Sequence, residues 1–564
     1  RGFTWHDLSA GRSIAMVDVP GHERLVRTMV AGASGMDAVL LCVSASEGVM
    51  PQTREHLDIL GLLGVQQGIV VLTMTDLVDD EMIELARLDV EEATCGTFLE
   101  GAPVIATAAG ASPAGLDALR DALADLPRPE RAASGPFRLP ADRAFVRRGF
   151  GTVVTGTVRG AALADGDEVE VLPQGLRTRI RGIEVHGESS ATALPGQRAA
   201  LNLAGVERDD LHRGSVVMHP GVARPASILD LAYRHLGAAP LVADGTRARL
   251  LVGTAEVMCV VSVIDPEADA LEPGWSGFIQ LRTDTPVVAL PGDRFVLRRA
   301  SPVETLGGGT VLDPWSPRVR RRDRARAHAE LARLANGDAS VRLLRAGDAG
   351  LTPAELRVRG VPGGIALGDR RVHPARVERL ESLLLAALAT HHDDHPLSPG
   401  ASKRGLHRPP LGHLSAAAYD DLLTRLVQDG RIVLAGPRIK LAGFSVDLDE
   451  DHQARTRSLV GRIRDAGLEG PKAATILEAE PELTLLLLDQ GEIVRIRDHL
   501  LHREALDRLR RMVVEHLAAQ GELGTADFKA LTGLSRRHAI PLLEWLDAQR
   551  VTVRDGDTRR AWGA

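Results

Sequence analysis

Residues 14–23 read IAMVDVPGHE, an apolar run that stops at an acidic residue and then turns sharply. A short apolar run bounded by turn residues is typical of a buried strand of a parallel sheet. Asp18 ends this run, and Pro20 and Gly21 follow as residues of a tight turn. The stretch therefore predicts a strand whose carboxyl end presents a carboxylate and a turn, with His22 directly after it.

The rest of residues 1–127 alternates short apolar runs with amphipathic segments. Alternation at this spacing predicts a parallel sheet with helices on both faces. The predicted strands cover residues 14–18, 38–44, 69–73 and 104–107. Pro127 and Pro129 break the pattern and indicate a linker.

The turn after the first of these strands has side chains suited to a nucleotide. Asp18 would hold Mg²⁺ through water, and the Gly21 amide could approach a γ-phosphate because no Cβ obstructs it. His22 could orient an attacking water, as a glutamine does in some nucleotide hydrolases. For the stretch taken alone, a plain turn before a helix is the alternative.

Two further stretches follow in order, AGASGMD at residues 31–37 and EGVMPQTREH at residues 47–56. Together with DVPGHE they resemble the G domain of the elongation factor Tu superfamily. The resemblance implies a guanine site made by Thr73, Thr75, Asp76, Thr107 and Ala108. In it Asp76 would accept from guanine N1 and N2, and the backbone at 107–108 would contact O6. Met74 departs from the family, which has a lysine there.

A phosphate-binding loop of the form Gly-x-x-x-x-Gly-Lys-Ser/Thr does not occur in the printed sequence, and its first lysine is Lys403. We therefore expect an N-terminally truncated G domain that lacks its first strand, its phosphate loop and switch I. GTPase activity is implied for the full-length family, and the fragment is expected to bind GTP poorly.

Residues 136–315 change character. Val/Thr-rich runs such as GTVVTGTV at residues 151–158 alternate with Gly and Asp turns, without helical periodicity. This pattern predicts two small β-barrels, at residues 136–222 and 223–317.

Three stretches narrow the resemblance to the bacterial selenocysteine-specific elongation factors: GFGTVVTG at 149–156, PGQRAALNLAG at 195–205 and TLGGGTVLD at 305–313. The resemblance implies an aminoacyl pocket on the first barrel at Asp142, Arg143 and Arg198. A selenol is largely ionised at neutral pH, so a cationic, hydrogen-bonding pocket favours it over serine. The alternative is that these three residues are ordinary surface charges of a barrel.

From about residue 318 a weak repeat with a period near 60 residues appears. In each copy an apolar helix-like stretch leads to a Gly-x-Ile type turn, such as Gly430 before Ile432 and Gly491 before Ile493, and a polar hairpin signal follows. The repeat predicts four tandem winged-helix modules. Their predicted bounds are 318–375, 376–446, 447–504 and 505–564. A generic helical tail with chance repeats is the alternative.

Basic residues cluster in the last module. Lys529, Arg536 and Arg537 lie around the start of a predicted recognition helix, and Arg554 lies in the predicted wing with Arg559 and Arg560. Side chains and amides at a helix start meet phosphates readily. The family resemblance implies that this module binds the selenocysteine insertion hairpin in mRNA; a solvated basic helix face is the alternative. RNA contact at the basic stretch of residues 318–326 is a weaker hypothesis.

Composition limits the class of protein. The 564 residues carry a net charge of −7, and three cysteines without metal or disulfide spacing indicate a reducing cytoplasm. Apolar runs are too short for a membrane span. We expect a cytoplasmic monomer that uses GTP and Mg²⁺ in its full-length form. Its expected partners are selenocysteinyl-tRNA, the mRNA hairpin and the ribosome, with no membrane.

The leading interpretation is a GTP-dependent carrier of selenocysteinyl-tRNA to ribosomes at recoded UGA codons. A degenerate GTPase-like scaffold that binds RNA without hydrolysing GTP is one alternative. A general aminoacyl-tRNA elongation factor is the other, and the four-module tail disfavours it.

Overall fold

The computed structural model describes residues 3–8, 12–18, 29–30, 36–110, 113–127, 135–148, 151–436 and 438–563. The predicted turn residues Pro20, Gly21 and His22 lie outside these ranges. The chain divides into two compact units. The first contains residues 1–364 with 370–373, and the second contains residues 365–369 with 374–564.

The first unit begins with the predicted α/β domain. Its strands are β1 (Phe3–Leu8), β2 (Arg12–Val17), β3 (Val39–Ser44), β4 (Gly68–Thr73) and β5 (Val104–Ala106). Its helices are α1 (Pro51–Leu62), α2 (Asp80–Thr94) and α3 (Leu116–Asp125). The strands β3, β4 and β5 form the predicted parallel sheet, in that order. The strand β2 instead pairs antiparallel with β1, with Phe3 opposite Val17, in a pairing that the alternation did not predict.

Burial explains why the central strand could be predicted from the sequence. The central strand β4 is buried from Gly68 to Leu72, so its residues form an unbroken apolar run. Helix α2 begins at an Asp79 side chain that accepts from the Met82 amide, which satisfies one of the free donors at a helix start.

The first barrel region contains ten strands. They are β6 (Arg138–Pro140), β7 (Arg143–Arg147), β8 (Gly151–Thr157), β9 (Leu163–Ala164), β10 (Glu168–Leu172), β11 (Leu176–Val185), β12 (Glu188–Ser190), β13 (Thr192–Ala193), β14 (Arg198–Leu203) and β15 (Val216–Met218). The main path runs β6-β15-β10-β11-β14-β8-β7, so β7 lies at its edge. The inward-facing residues form one buried apolar core.

The second barrel is closed, with strand order β16-β21-β19-β18-β22-β23. The strands of this region are β16 (Ala226–His235), β17 (Val242–Ala243), β18 (Arg247–Val252), β19 (Ala255–Val263), β20 (Ala270–Leu271), β21 (Ser276–Val287), β22 (Arg294–Arg299) and β23 (Thr305–Asp313). The short strands β17 and β20 pair with each other in a separate two-stranded sheet. Helix α1 docks on it: Glu55 accepts from Arg298 at 3.0 Å and from the Thr305 hydroxyl at 2.7 Å.

The chain then becomes helical, as predicted. The next elements are α4 (Arg324–Ala335), α5 (Ser340–Arg345), α6 (Pro353–Val358), β24 (Ile365–Leu367) and β25 (Arg370–Val372). Two buried ion pairs fix these helices to the second barrel. Arg345 lies 2.5 Å from Asp230, and Arg359 lies 2.6 Å from Asp313.

The second unit repeats helices followed by a two-stranded hairpin three times. The first copy has α7 (Pro374–Asp394), β26 (Ala401–Ser402), α8 (Lys403–Leu406), α9 (Ala416–Gln428), β27 (Ile432–Ala435) and β28 (Arg438–Leu441). The second has α10 (Glu450–Asp465), α11 (Ala473–Ala479), α12 (Pro481–Asp489), β29 (Ile493–Ile496) and β30 (His499–His502). The third has α13 (Arg503–Gln520), β31 (Leu523–Gly524), α14 (Thr525–Thr532), α15 (Arg536–Ala548), β32 (Thr552–Asp555) and β33 (Thr558–Ala561).

This repeat confirms the predicted tandem winged-helix architecture, whereas the exact module bounds stay predictions. The second and third copies share one apolar core. Ile496 and Leu501 of the second copy pack with Leu509 and Phe528 of the third. The last module is therefore not an independent block of packing.

Candidate functional site

The residues predicted to contact guanine gather at the carboxyl ends of β4 and β5. Thr73 ends β4, and its hydroxyl donates to the Val43 carbonyl at 3.3 Å. The amide and the hydroxyl of Thr75 donate to the Thr107 carbonyl at 3.4 and 3.1 Å. The crevice outside the carboxyl ends of parallel strands is the usual ligand position in such sheets.

In the loop after β5, the first two backbone amides donate hydrogen bonds within the protein. Thr107 donates its amide to a carbonyl of β4 at 2.7 Å, and Ala108 donates its amide to Ala114 at 3.1 Å. These two residues are buried and support the loop. The exposed residues that follow, Ala109 and Gly110, carry the next amides of the same loop.

Asp76, in the turn after β4, lies against Gly110, in the loop after β5. A side chain on Gly110 would collide with the carboxylate of Asp76, which is exposed. The carboxylate thus lies against the loop, where its oxygens can accept from the N–H groups of a guanine edge. The residues present fit a guanine base. Sequence reasoning did not single out Gly110, because only the folded loop shows its contact with Asp76.

Met74 occupies a left-handed conformation, with φ 58° and ψ 33°, at the start of the short turn Thr75–Leu77. Its side chain is half-exposed, and the Ser44 hydroxyl lies 3.8 Å from its sulfur. Met74 therefore lies in the chain between Thr73 and Thr75 of the same site, and its thioether brings no positive charge there.

Asp18 follows β2 directly and is exposed. Partial removal from water raises the pKa of the Cys42 thiol on β3, and the negative charge of Asp18 raises it further. The Asp18 carboxylate therefore acts on the neighbouring strand of the domain. Carboxylate oxygens are ligands that Mg²⁺ accepts, directly or through its waters.

On the first barrel, Asp142 and Arg198 form a two-point ion pair. Arg198 Nη1 donates to Asp142 Oδ2 at 2.6 Å, and Nη2 donates to Oδ1 at 3.0 Å. The Thr155 hydroxyl donates to Asp142 Oδ1 at 2.7 Å. The side chain of Asp142 is 5% exposed and that of Arg198 is 23% exposed, so the arginine is the solvent-facing member.

Arg143 lies on the edge strand β7, in register with Thr155, and is exposed. Thr155 is thus the residue that links the predicted pocket: it bonds to Asp142, lies beside Arg198 at 3.5 Å and pairs with Arg143. Sequence reasoning missed Thr155, because one threonine in a Val/Thr-rich strand carries no separate signal.

In the last module, Arg536 and Arg537 are the first two residues of α15, and both are exposed. Lys529 is exposed on α14. His538 of the same helix start lies edge-on to His499 of β30, with ring centroids 5.0 Å apart. Removal from water lowers the pKa of His499, and the positive charges of His538 and Arg537 lower it further. The helix start is thus a locally positive surface.

The basic residues of the wing differ in their surroundings. Arg554 is exposed, and its Nε donates to the Gly556 carbonyl at 3.1 Å. Arg559 is buried and binds both carboxylate oxygens of Asp547 at 3.0 and 2.9 Å. Arg559 therefore supports the wing, whereas Arg554 can meet a ligand.

No helix among the described residues combines the length and apolar character needed to cross a membrane.

Family comparisons divide the chain along the same lines. The family described as "Elongation factor Tu GTP binding domain" matches residues 4–130, and "Elongation factor Tu domain 2" matches residues 149–218. "Selenocysteine-specific elongation factor, beta-barrel domain" matches residues 234–318. Two families described as "Elongation factor SelB, winged helix" match residues 385–441 and 515–561.

Similar proteins extend over almost the whole chain. A selenocysteine-specific elongation factor of Desulfomicrobium baculatum is 35% identical, over 99% of this chain and 93% of the relative. That of Escherichia coli (strain K12) is 30% identical, over 99% and 91%. Elongation factor Tu 2 of Streptomyces avermitilis is 35% identical but covers 53% of this chain and 80% of its own length. The crystal structure of a bacterial selenocysteine-specific elongation factor, at 24% identity, matches the fold with a TM-score of 0.71 over 99% of this chain and 92% of its own.

Proposed function

The chain belongs to the selenocysteine-specific elongation factors, and on this basis we propose that it delivers selenocysteinyl-tRNA to the ribosome at recoded UGA codons. The observation that carries the proposal is the pair Arg198–Asp142 on the first barrel. One guanidinium is held in place by a nearly buried carboxylate and remains partly exposed, so it can meet an ionised selenol without first being ordered.

The ordering of Arg198 matters for discrimination. Serine and selenocysteine differ in one atom, and a neutral hydroxyl gains less from a guanidinium than a selenolate does. Arg143, on the adjacent edge strand, would add a second positive charge beside the pocket. The three residues Asp142, Arg143 and Arg198 form the proposed aminoacyl site.

The first domain is a guanine-nucleotide-binding domain of the elongation factor Tu type. We propose that, in the full-length protein, it takes GTP with Mg²⁺, which Asp18 would hold through water. The proposed nucleotide-binding residues are Asp18, Pro20, Gly21, Thr73, Thr75, Asp76, Thr107 and Ala108, with His22 as the proposed catalytic residue. In the loop after β5, Thr107 and Ala108 would support the contact with guanine O6 while the next two amides reach it.

The last module is the proposed reader of an mRNA hairpin. Lys529, Arg536, Arg537 and Arg554 are all exposed and lie on its helices and wing. RNA hairpins are bound through backbone phosphates, loops and bulged bases, which suits arginines at a helix start. We further propose that the protein acts as a monomer on the ribosome, in the cytoplasm.

A hydrolysis-protection assay tests the function. The chain is mixed with selenocysteinyl-tRNA or seryl-tRNA and GTP, and the rate of aminoacyl ester hydrolysis is measured. Delivery of selenocysteine requires slow hydrolysis for selenocysteinyl-tRNA and unprotected hydrolysis for seryl-tRNA. Equal protection of both would fit a general elongation factor instead.

Met74 favours a second candidate function, an RNA-binding scaffold that does not use GTP. The residue lacks the charge that the family places beside the base, and its side chain is half-exposed next to Thr73 and Thr75. Titration with a fluorescent GDP analogue separates the two. If the chain is a scaffold, neither the wild-type chain nor Met74→Lys should bind the analogue saturably. If it is a GTP-dependent carrier, Met74→Lys should bind the analogue more tightly than the wild-type chain does.

A further inference from the structure

A cleft of about 550 Å³ lies on one side of the second barrel, beneath the segment that leads into α4. The barrel contributes Ser262, Gln280 and Arg282, and the segment contributes four arginines. Those four are Arg318, Arg320, Arg321 and Arg324. None of the residues proposed above for nucleotide, aminoacyl or hairpin binding lines this cleft.

The charges in the cleft do not balance. Arg321 and Arg324 are paired: they bind Asp269 at 2.6 and 2.8 Å, and Arg324 also binds Asp244 at 2.5 Å. Throughout the described ranges, the side chains of Arg282, Arg318 and Arg320 make no hydrogen bond or ion pair. Five arginines therefore face two carboxylates, which leaves an excess of three positive charges.

The segment is held rigidly over the barrel. Gln280 donates to the Pro317 carbonyl at 3.1 Å and accepts from the Val319 amide at 3.0 Å. It also donates to the buried Asp230 at 2.7 Å, which is itself paired with Arg345. The backbone on either side of Arg318 is thus fixed before any ligand arrives, which lowers the entropy cost of binding.

The chemistry of the cleft favours an RNA backbone. Guanidinium groups bind phosphate oxygens in a two-point geometry, and several of them along one fixed segment match a series of phosphates. The three exposed arginines gain charge-assisted hydrogen bonds without breaking an existing ion pair. The cleft also lies in the same compact unit as the aminoacyl pair Arg198–Asp142.

We propose that this cleft binds backbone phosphates of the tRNA whose aminoacyl end occupies the first barrel. The inference rests on the proposed function, because it assigns the cleft to the same tRNA. It adds a contact to the tRNA body that is separate from the aminoacyl pocket and separate from the hairpin-binding module.

The test is a filter-binding salt series on the full chain with the host's selenocysteinyl-tRNA in the presence of GTP. The variant is Arg318→Gln/Arg320→Gln. The matched control is Arg322→Gln/Arg326→Gln, which removes the same charge from the same segment. Arg322 and Arg326 do not line the cleft, and both contact Asp323. A transcript of an insertion hairpin serves as the second RNA.

We expect the cleft variant to bind the tRNA about tenfold more weakly. Its log–log salt slope should fall by about 0.7–0.9 for each phosphate that the variant no longer neutralises. The control and the hairpin affinity should stay unchanged. A weakening of tRNA binding no larger than the control's overturns the cleft assignment alone, and so does an equal weakening of hairpin binding. If the wild-type chain binds no tRNA, the proposed function falls together with the cleft.

Discussion

Arg198 binds both carboxylate oxygens of Asp142, at 2.6 and 3.0 Å, while Thr155 holds the same carboxylate from another side at 2.7 Å. In the proposed aminoacyl site, this arrangement would give Asp142 a positioning role and would leave Arg198 to meet the aminoacyl side chain. A simple removal of Arg198 would leave the Asp142 charge buried without its partner, at a cost of about 3–5 kcal/mol in stability.

We therefore predict the effect of a double variant, Asp142→Asn/Arg198→Gln, which replaces the ion pair by a neutral amide pair. The preference for selenocysteinyl-tRNA over seryl-tRNA should fall roughly tenfold or more, because a hydrogen bond to a charged group contributes about 1.5–3 kcal/mol. Competition between the two tRNAs in a binding assay measures the ratio.

The control for this variant is Arg147→Gln/Glu184→Gln, which removes an exposed ion pair from the same barrel. The ratio should stay unchanged in the control. A double variant at Asp142 and Arg198 that weakens both tRNAs equally would assign the pair to general docking.

Asp76 should decide the choice of base. Asp76→Asn is expected to weaken GDP binding more than tenfold, because one carboxylate oxygen that accepts from guanine becomes an amide donor. Asp79→Asn is the control, since it removes a nearby charge but keeps an acceptor for the Met82 amide. Titration with a fluorescent GDP analogue gives the two dissociation constants. Equal constants for both variants would remove Asp76 from the site.

His392 should make the second unit sensitive to acid. Its Nε2 accepts from the Leu441 amide at 3.2 Å, so the ring is neutral in the fold. Removal from water lowers the pKa of His392 below its ordinary value of 6.5, and the charge of His391 lowers this pKa further. The smaller effects are those of Asp393, which raises the pKa, and of Lys440, which lowers it. The unfolded chain takes up this proton first, so stability is complete above pH 6.5 and falls as the pH drops below it.

Urea midpoints at about pH 7.5 and about pH 5.5, on either side of the ordinary histidine pKa, measure this effect. The wild-type midpoint should fall on acidification, and the fall should be smaller in His392→Gln, which keeps an acceptor but does not titrate. His516→Gln, on α13 of the same unit, should fall as the wild type does. An identical fall in His392→Gln and wild type would show that another group controls the acid response.

Arg554 and Arg559 lie on adjacent strands of one wing but should respond oppositely to removal. Arg559→Ala leaves Asp547 without its two-point partner and should lower the melting temperature by several degrees. Arg554→Ala should leave the melting temperature unchanged and weaken RNA binding. Thermal unfolding and filter binding of both variants check the assignment, and a drop in stability in Arg554→Ala would contradict it.

Sequence patterns predicted the parallel strands of the first domain, above all the central strand β4, which is buried from Gly68 to Leu72. The unbroken apolar run of β4 is a direct imprint of that burial. The barrels and the repeat of winged helices were predicted from a different signal, because each hairpin needs its own turn residues. The antiparallel ribbon of β1 and β2 was not, because pairing direction leaves little trace in six residues.

The sites were predictable in position but not in detail. Glu55 and Arg298 meet although 243 positions separate them, and no local pattern carries such a contact. The same holds for Thr155 in the aminoacyl pocket and for Gly110 beside Asp76. In the wing, Arg554 and Arg559 look alike in sequence, and only the fold shows that one is buried against Asp547.

The proposed selenocysteine-specific delivery is tested most directly by the affinity of the full chain for an insertion hairpin from one of the host's selenoprotein messages. This affinity is measured as a salt series beside a scrambled hairpin of equal length. The full chain is required because the last module shares its core with the module before it. We predict tight binding of the native hairpin only. Arg536→Gln/Arg537→Gln should weaken that binding and lower the log–log slope by about 0.7–0.9 for each phosphate no longer neutralised, whereas the control Arg508→Gln/Arg511→Gln should not. Equal affinity for the native and scrambled hairpins would contradict selenocysteine-specific delivery.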